Sequence, residues 1–272
     1  MNKRRGSGNR HEGGLAPGAS TDRTSVICPL LTMRQPIRRL IARKLGLLRF
    51  RMMSMEQVFL YIWRNQNWGS SETVSGHGST FAQTGMLRAA LPGLFKKLGT
   101  KVLLDIACGE YNWMSAIRPS VDSYIGADIV PGLIDENQIR HGDRQTQFIC
   151  LDITRDLLPN ADVAFCRDCL VHLSFRDIGK TLKNLKRSKI EYVVTTTFPA
   201  TTANSDIVTG DWRPLNVEAA PLRFPKPIKI ISEGTKSYGE KCMGVWRTSD
   251  LSVREGEHLT STLTRWQAAG SQ

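Results

Sequence analysis

The chain has 272 residues, 40% of them apolar, and a formal net charge of +12. That length suits one α/β domain with appendages, and no apolar run approaches the roughly 18 residues that a membrane span needs. The charge is local: residues 1–55 hold twelve Lys and Arg against two acids, +10, which leaves +2 for the other 217 residues. A nearly neutral body argues against a nucleic-acid groove spread over the domain.

Residues 1–32 are rich in Gly, Ser and Arg and read as a disordered basic arm. The basic start is followed by no apolar core of the kind a secretory signal carries, so a cytoplasmic catalytic domain is expected. Over residues 34–51, Ile37, Leu40, Ile41, Leu45 and Leu48 recur at three- and four-residue spacing, with Arg mostly elsewhere. This pattern predicts a basic amphipathic helix. Such a helix either meets a membrane surface or an acidic partner, or packs on its own domain. It opens a helical extension over residues 33–98. A second helix is predicted over Met55 to Trp68, then a polar loop from Gly69 to Thr80 with Glu72, Ser75, Gly76 and Ser79. Phe81 to Leu98 is helical in pattern, with Met86, Leu87, Leu91, Leu94, Phe95 and Leu98 on one side; Pro92 is expected to break or restart it.

From residue 99 to 254 strands and helices alternate. Strands are predicted at Val102–Asp105, Ser123–Asp128, Gln147–Asp152, Asp162–Arg167, Glu191–Thr196, Pro227–Ser232 and Cys242–Thr248. Helices are predicted at Tyr111–Arg118, Pro131–Arg140 and Ser174–Lys186, the last with Ser174 as its N-cap. The expected fold is doubly wound α/β: a mostly parallel seven-stranded sheet, with an antiparallel edge strand because no helix separates the last two strands. Residues 255–272 read as a polar tail. The six cysteines show no framework spacing and read as reduced thiols. Cys166 and Cys169 form a C-x-x-C without the second pair or His ligands that a zinc site needs, so no metal is expected.

Three successive strands end in carboxylates, Asp105, Asp128 and Asp152. In an open α/β sheet the ligand crevice lies beyond the carboxyl ends of the strands. The turn after the first strand, Ala107-Cys108-Gly109-Glu110-Tyr111, lacks the G-x-G-x-x-G that lets backbone approach a pyrophosphate, and Glu110 would face the phosphates. A cofactor without phosphates fits better. S-adenosylmethionine is one: its ribose diol suits an acceptor such as Asp128, and its adenine amino group suits Asp152, with apolar Ile129 and Ile153 beside the ring.

The runs Leu103 to Gly109, Tyr124 to Ile129, Phe148 to Asp152 and Asp162 to Leu173 resemble the successive motifs of class I, seven-strand S-adenosylmethionine-dependent methyltransferases. The resemblance covers about Leu98 to Thr248. It implies that Asp105 and the turn of Ala107, Cys108 and Gly109 lie near the methionine part of the cofactor, with Asp128 at the ribose and Asp152 near the adenine. The family's G-x-G-x-G is A-x-G-x-Y here. Tyr111 at a glycine position either closes over the cofactor or weakens its binding. The resemblance also implies that an N-terminal segment covers the cofactor and that Arg167 to Leu173 face cofactor or substrate.

Methyl transfer to an alcohol needs a base, and His172 and Asp168 are the candidates. Asp211, Trp212 and Arg213, after the fifth strand, are candidates for contacting the acceptor. The expected activity is O-methylation of a small molecule or glycan. The alternatives are an RNA or protein methyltransferase recruited by the basic arm, and a non-catalytic cofactor-binding protein whose site Tyr111 blocks.

Overall fold

A computed structural model describes residues 45–234 and 240–251. The arm over 1–32, the tail over 255–272 and most of the amphipathic segment 34–51 lie outside the described residues. Of that segment, residues 45–50 are helical, and two of its predicted apolar positions, Leu45 and Leu48, are exposed.

Seven strands form one sheet: β1 (Val102–Ile106), β2 (Ser123–Asp128), β3 (Thr146–Cys150), β4 (Val163–Cys166), β5 (Tyr192–Thr197), β6 (Lys229–Ser232) and β7 (Cys242–Arg247). Their order is β3-β2-β1-β4-β5-β7-β6. The pairs among β1 to β5 are parallel. The one reversed strand is β7, which lies antiparallel between β5 and the edge strand β6. The doubly wound class read from the sequence is the one observed, with its reversal one strand in from the edge.

Among the described residues the sheet is flanked by the helices α1 (Met55–Arg64), α2 (Gly85–Leu98), α3 (Pro131–His141) and α4 (Phe175–Arg187). Strands covered on both faces read as continuous apolar runs, and β1 alternates its burial between two cores. Leu104 and Ile106 join Ile178, Leu182 and Leu185 of α4. Leu103 joins Leu87, Leu91 and Phe95 of α2 on the other face. α1 begins with a capping box: Ser54 Oγ accepts from Gln57 N, and Gln57 Oε1 accepts from Ser54 N. Ser174 caps α4, its Oγ accepting from Asp177 N.

Local expectations fail at three places. Tyr111 to Arg118 forms no α-helix; two 3-10 turns, Met114–Ala116 and Arg118–Ser120, fill the stretch. Tyr111 starts the stretch at φ 60°, in the left-handed region that a right-handed helix does not use. Pro92 does not break α2, which runs unbroken through it to Gly99, a left-handed C-cap at φ 65°. Met86 is exposed and does not join the buried face.

Candidate active site

The sheet's carboxyl edge carries two turns side by side, one after β1 and one after β4. In the first, Ala107, Gly109 and Tyr111 all have positive φ, at 58°, 59° and 60°. These are the three positions where the resembled family has glycine. The conformation is kept although two of the three residues have a side chain. Gly109 serves twice, because a Cβ there would collide with Ser75 Oγ.

Asp128, at the end of β2, faces this turn. Its two oxygens accept from Gly109 N (3.2 Å) and Val130 N (3.1 Å). Burial pushes its carboxyl above the usual range, against the pull of those N–H groups. Asp105 is buried in β1, with Tyr124 Oη donating to it at 2.7 Å. Burial raises it from 3.8 to about 7, with Asp128 adding to the rise and the Tyr124 hydrogen bond opposing it.

Two adjoining cavities open at this edge. The larger is mostly apolar and has Asp128, Ile129, Leu151, Ile153, Asp168 and His172 in its walls. The smaller is polar and is lined by Asp105, Cys108, Glu110 and Tyr111 among others. Ser75, Ser79, Ala107 and Arg167 line both. The mixture of apolar wall with a few polar groups suits a small-molecule ligand.

Asp152 turns away from the cavities, which is a correction to its expected place beside the adenine. It lies two residues past β3, not at its end. Its Oδ1 accepts from Thr154 N (2.9 Å) and Thr154 Oγ1 (2.6 Å), and its Oδ2 meets Arg155 Nε at 3.2 Å. The carboxylate caps its own turn.

Tyr111 does not block the larger cavity. Its ring is buried against Tyr124 (4.9 Å) and Phe148 (5.1 Å) on the α2 side of the sheet.

After β4 the turn is built from charge. Arg167 is buried and forks onto Glu233, with Nε to Oε1 at 3.2 Å and Nη2 to Oε2 at 2.6 Å. Asp168, itself at φ 53°, contacts Lys241 Nζ and Arg167 Nη1 (3.3 Å). Desolvation would raise its pKa, but the Arg167 and Lys241 charges outweigh it and hold the carboxyl at about 2. A carboxylate this committed to cations is a poor proton acceptor.

His172 follows in a 3-10 turn, Leu170–His172. Its ring stacks on Trp68, centroids 4.2 Å apart. Its Nδ1 lies 2.9 Å from the carbonyl oxygen of Asp211. A carbonyl only accepts, so Nδ1 carries the proton and Nε2 is left as the acceptor nitrogen. Burial pushes the imidazole below its usual pKa, against the opposing pull of the Asp211 contact and the Asp168 charge.

The Asp211-Trp212-Arg213 segment, expected at the acceptor, acts as a strap on this turn. Gly210 N donates to His172 O (2.9 Å), and Arg213 N to Val171 O (3.2 Å). Arg213 is buried, its Nη1 donates to Val171 O (3.0 Å), and its guanidinium lies over the Phe175 ring. Its Nε and Nη2 are buried with no hydrogen-bond partner among the described residues, and it is not among the residues that line either cavity. Trp212 is partly exposed and meets Phe198 edge-on.

Several wall residues carry no signal in the sequence that marks them as functional. Met55, Phe59 and Trp63 roof the larger cavity from one face of α1. Their spacing predicts a helix, but not what the helix covers. Leu133 of α3 joins them. Among the described residues no cluster of His, Cys, Asp or Glu could hold a metal ion, and the five described cysteines are all free thiols. No described helix is long and apolar enough to cross a membrane.

Residues 104–189 match the family model of a methyltransferase domain. The matched stretch, from β1 to α4, is thus similar to a methyltransferase domain. No curated protein matches the sequence. Among solved structures, magnesium protoporphyrin IX methyltransferase from Synechocystis PCC 6803, with bound S-adenosylmethionine, aligns with a TM-score of 0.52 at 12% identity, covering 72% of this chain and 97% of that one. The N-methyltransferase NodS from Bradyrhizobium japonicum, with S-adenosylhomocysteine, aligns with a TM-score of 0.50 at 14% identity, covering 68% and 97%. The 1,6-didemethyltoxoflavin-N1-methyltransferase from Burkholderia thailandensis aligns with a TM-score of 0.50 at 14% identity, covering 71% and 86%. Magnesium protoporphyrin IX and 1,6-didemethyltoxoflavin, after which two of these enzymes are named, are different acceptors. At such identities the likeness carries the methyltransferase fold and no acceptor.

Proposed function

We propose that this methyltransferase acts on a hydroxyl group of a small molecule or glycan, with His172 as the base. The observation that carries the reading is the contact of His172 Nδ1 with the Asp211 carbonyl. It fixes the tautomer whose other nitrogen can accept a proton, and burial keeps the ring neutral. A neutral, oriented imidazole serves a hydroxyl acceptor, whose proton must leave as the oxygen attacks. Asp168 is assigned the neighbouring role. Its charge faces His172 and stabilises the imidazolium that proton transfer creates.

The residues at the two cavities fit the cofactor. S-adenosylmethionine, when bound, supplies an electrophilic methyl group. Asp128 would accept from the ribose hydroxyls, with Ile129 and Ile153 as apolar walls beside the adenine. Ala107, Cys108, Gly109 and Tyr111 form the turn at the polar cavity. There Asp105, Ser75, Ser79 and Arg167 suit an amino-acid head group. Asp105 is a desolvated carboxyl at about 7, and a cation beside it would restore its charge.

Calorimetry with S-adenosylhomocysteine tests the cofactor site, with micromolar binding expected. Labelled methyl transfer from S-adenosylmethionine to a panel of hydroxyl compounds and saccharides then tests the acceptor class. Label recovered as a methyl ether from the native chain and not from His172→Ala supports the reading. Label on nitrogen or carbon, or full activity in His172→Ala, overturns it.

A further inference from the structure

Two charged residues beyond the methyltransferase match belong to the site's control. Glu233 follows β6 and is fully buried, and Lys241 precedes β7 and is nearly so. Glu233 Oε2 lies 2.6 Å from Arg167 Nη2 and 3.3 Å from Lys241 Nζ. Lys241 in turn contacts Asp168. Two cations and two anions are closed into one network between the ends of β4, β6 and β7. Such a set is a costly way to gain stability, since desolvation offsets the attraction between its members. Its position suggests what it does instead.

Arg167 is the member that reaches outward. Its Nη2 also donates to the carbonyl oxygen of Gly78 at 2.8 Å. Gly78 sits in the polar segment between α1 and α2, close to the network: a Cβ on it would lie 3.6 Å from Asp168 Oδ2 and 3.9 Å from Lys241 Nζ. The same segment puts Ser75 and Ser79 into the walls of both cavities. Its other tethers come from the β1 turn, where Glu110 Oε2 accepts from Val74 N (2.9 Å) and Glu72 Oε1 accepts from Asn112 Nδ2 (3.0 Å). The segment is thus held on one side by the β1 turn and on the other by Arg167. Arg167 also lies over the Trp113 ring, but only Glu233 fixes the plane of its guanidinium with two parallel bonds.

We infer that Glu233, supported by Lys241, is a positioning residue that aims Arg167 at Gly78 and so holds the 74–80 segment over the cofactor. The inference rests on the reading of the two cavities as the cofactor site. Without the Glu233 fork, Arg167 turns to Asp168 alone and the Gly78 tether is released. Cofactor affinity then falls although no residue touching the cofactor has changed.

The test needs no acceptor. Binding of S-adenosylhomocysteine is measured by calorimetry, and amide exchange over residues 74–80 is followed with and without it. The native chain, Glu233→Gln, and the double variant Glu233→Gln with Lys241→Met are compared. The double variant removes one charge of each sign, so the buried network stays neutral and the fold survives where the single variant leaves an unpaired cation. The expected result is a tenfold or greater loss of S-adenosylhomocysteine affinity in both variants, with ligand-induced protection over 74–80 lost. A merely structural network would lower thermal stability while affinity well below the melting range stayed unchanged. If the folded double variant binds within twofold of the native chain with native protection at 74–80, the inference is wrong. If the native chain itself binds no S-adenosylhomocysteine, the cofactor reading fails first.

Discussion

The turn after β1 and the turn after β4 leave neighbouring strands of the sheet, paired from Leu103–Val163 to Asp105–Phe165, and build the same cavities from different materials. After β1 the backbone is the tool. Three alternating residues hold positive φ, and this lets Gly109 meet both Ser75 and Asp128. After β4 side-chain charge is the tool. Arg167 and Asp168 are fixed by Glu233 and Lys241, and His172 is aimed by a strap from residues 210–213. A site built from backbone answers to local conformation. A site built from charge answers to residues far away in the chain, and its failures should be electrostatic.

The largest effect expected is on the charged side. His172→Ala should lower turnover about 10²- to 10⁴-fold, the range for losing a general base, and leave S-adenosylhomocysteine affinity unchanged. The pH profile of kcat/KM sharpens this. The base must be neutral, and burial places His172 below its ordinary 6.5. For the acceptor, with S-adenosylmethionine saturating so that Asp105 is not titrated, the acid limb should therefore be centred below 6.5. An acid limb centred above 6.5 would remove His172 from the role.

Next in size is Asp105, on the backbone-built side. Its folded pKa of about 7 lies above its ordinary 3.8. The stability it contributes is fully present below 3.8 and is lost as pH rises through 7. Asp105→Asn keeps the acceptor for Tyr124 Oη and removes the ionisation. It should match the native chain near pH ~4 and be more stable near pH ~8, by on the order of 4 kcal/mol. Urea unfolding at the two pH values measures it. S-adenosylhomocysteine affinity should fall in the same variant, because the carboxylate is placed for a cation.

The contrast also explains what could be read from the sequence. The strand-turn-helix alternation and the acid at the end of β2 are local patterns, and Asp128 stands where its spacing from the first turn puts it. Asp152 has the same local pattern. It differs because Thr154 and Arg155 supply partners within its own turn, which spacing from the earlier strands does not reveal. Arg213 reads as a ligand-pairing cation. It is a buried strap instead, because its partners are the carbonyls of Leu170 and Val171, some forty residues earlier. Glu233 and Lys241 have no signature at all, since a buried ion network is defined by tertiary approach. Tyr111 is the instructive middle case: the motif marks the position as unusual, but only the tertiary packing shows the ring against Tyr124 and Phe148 at the edge of the smaller cavity.

A smaller effect separates the two acids. Asp128→Ala should weaken S-adenosylhomocysteine binding by about 1.5–3 kcal/mol, the scale of a charged hydrogen bond. Asp152→Ala should leave affinity within a factor of about two while lowering stability through the lost turn cap. Equal losses of affinity in the two variants would return Asp152 to the cofactor site.

The smallest prediction bears most directly on the backbone-built turn. A non-glycine residue in the left-handed region costs about 1–2 kcal/mol, and a new glycine returns part of that through the entropy of the unfolded chain. Ala107 is exposed at φ 58°, so its methyl group contributes little packing to weigh against the strain. Ala107→Gly should therefore stabilise the fold by about 0.5–1 kcal/mol, seen as a higher urea midpoint at unchanged slope. Tyr111 has the same backbone conformation and cannot follow, because its ring is part of the core between Tyr124 and Phe148. If Ala107→Gly destabilises instead, the methyl group makes a contact worth more than the strain, and the turn after β1 depends on side chains as much as the turn after β4 does.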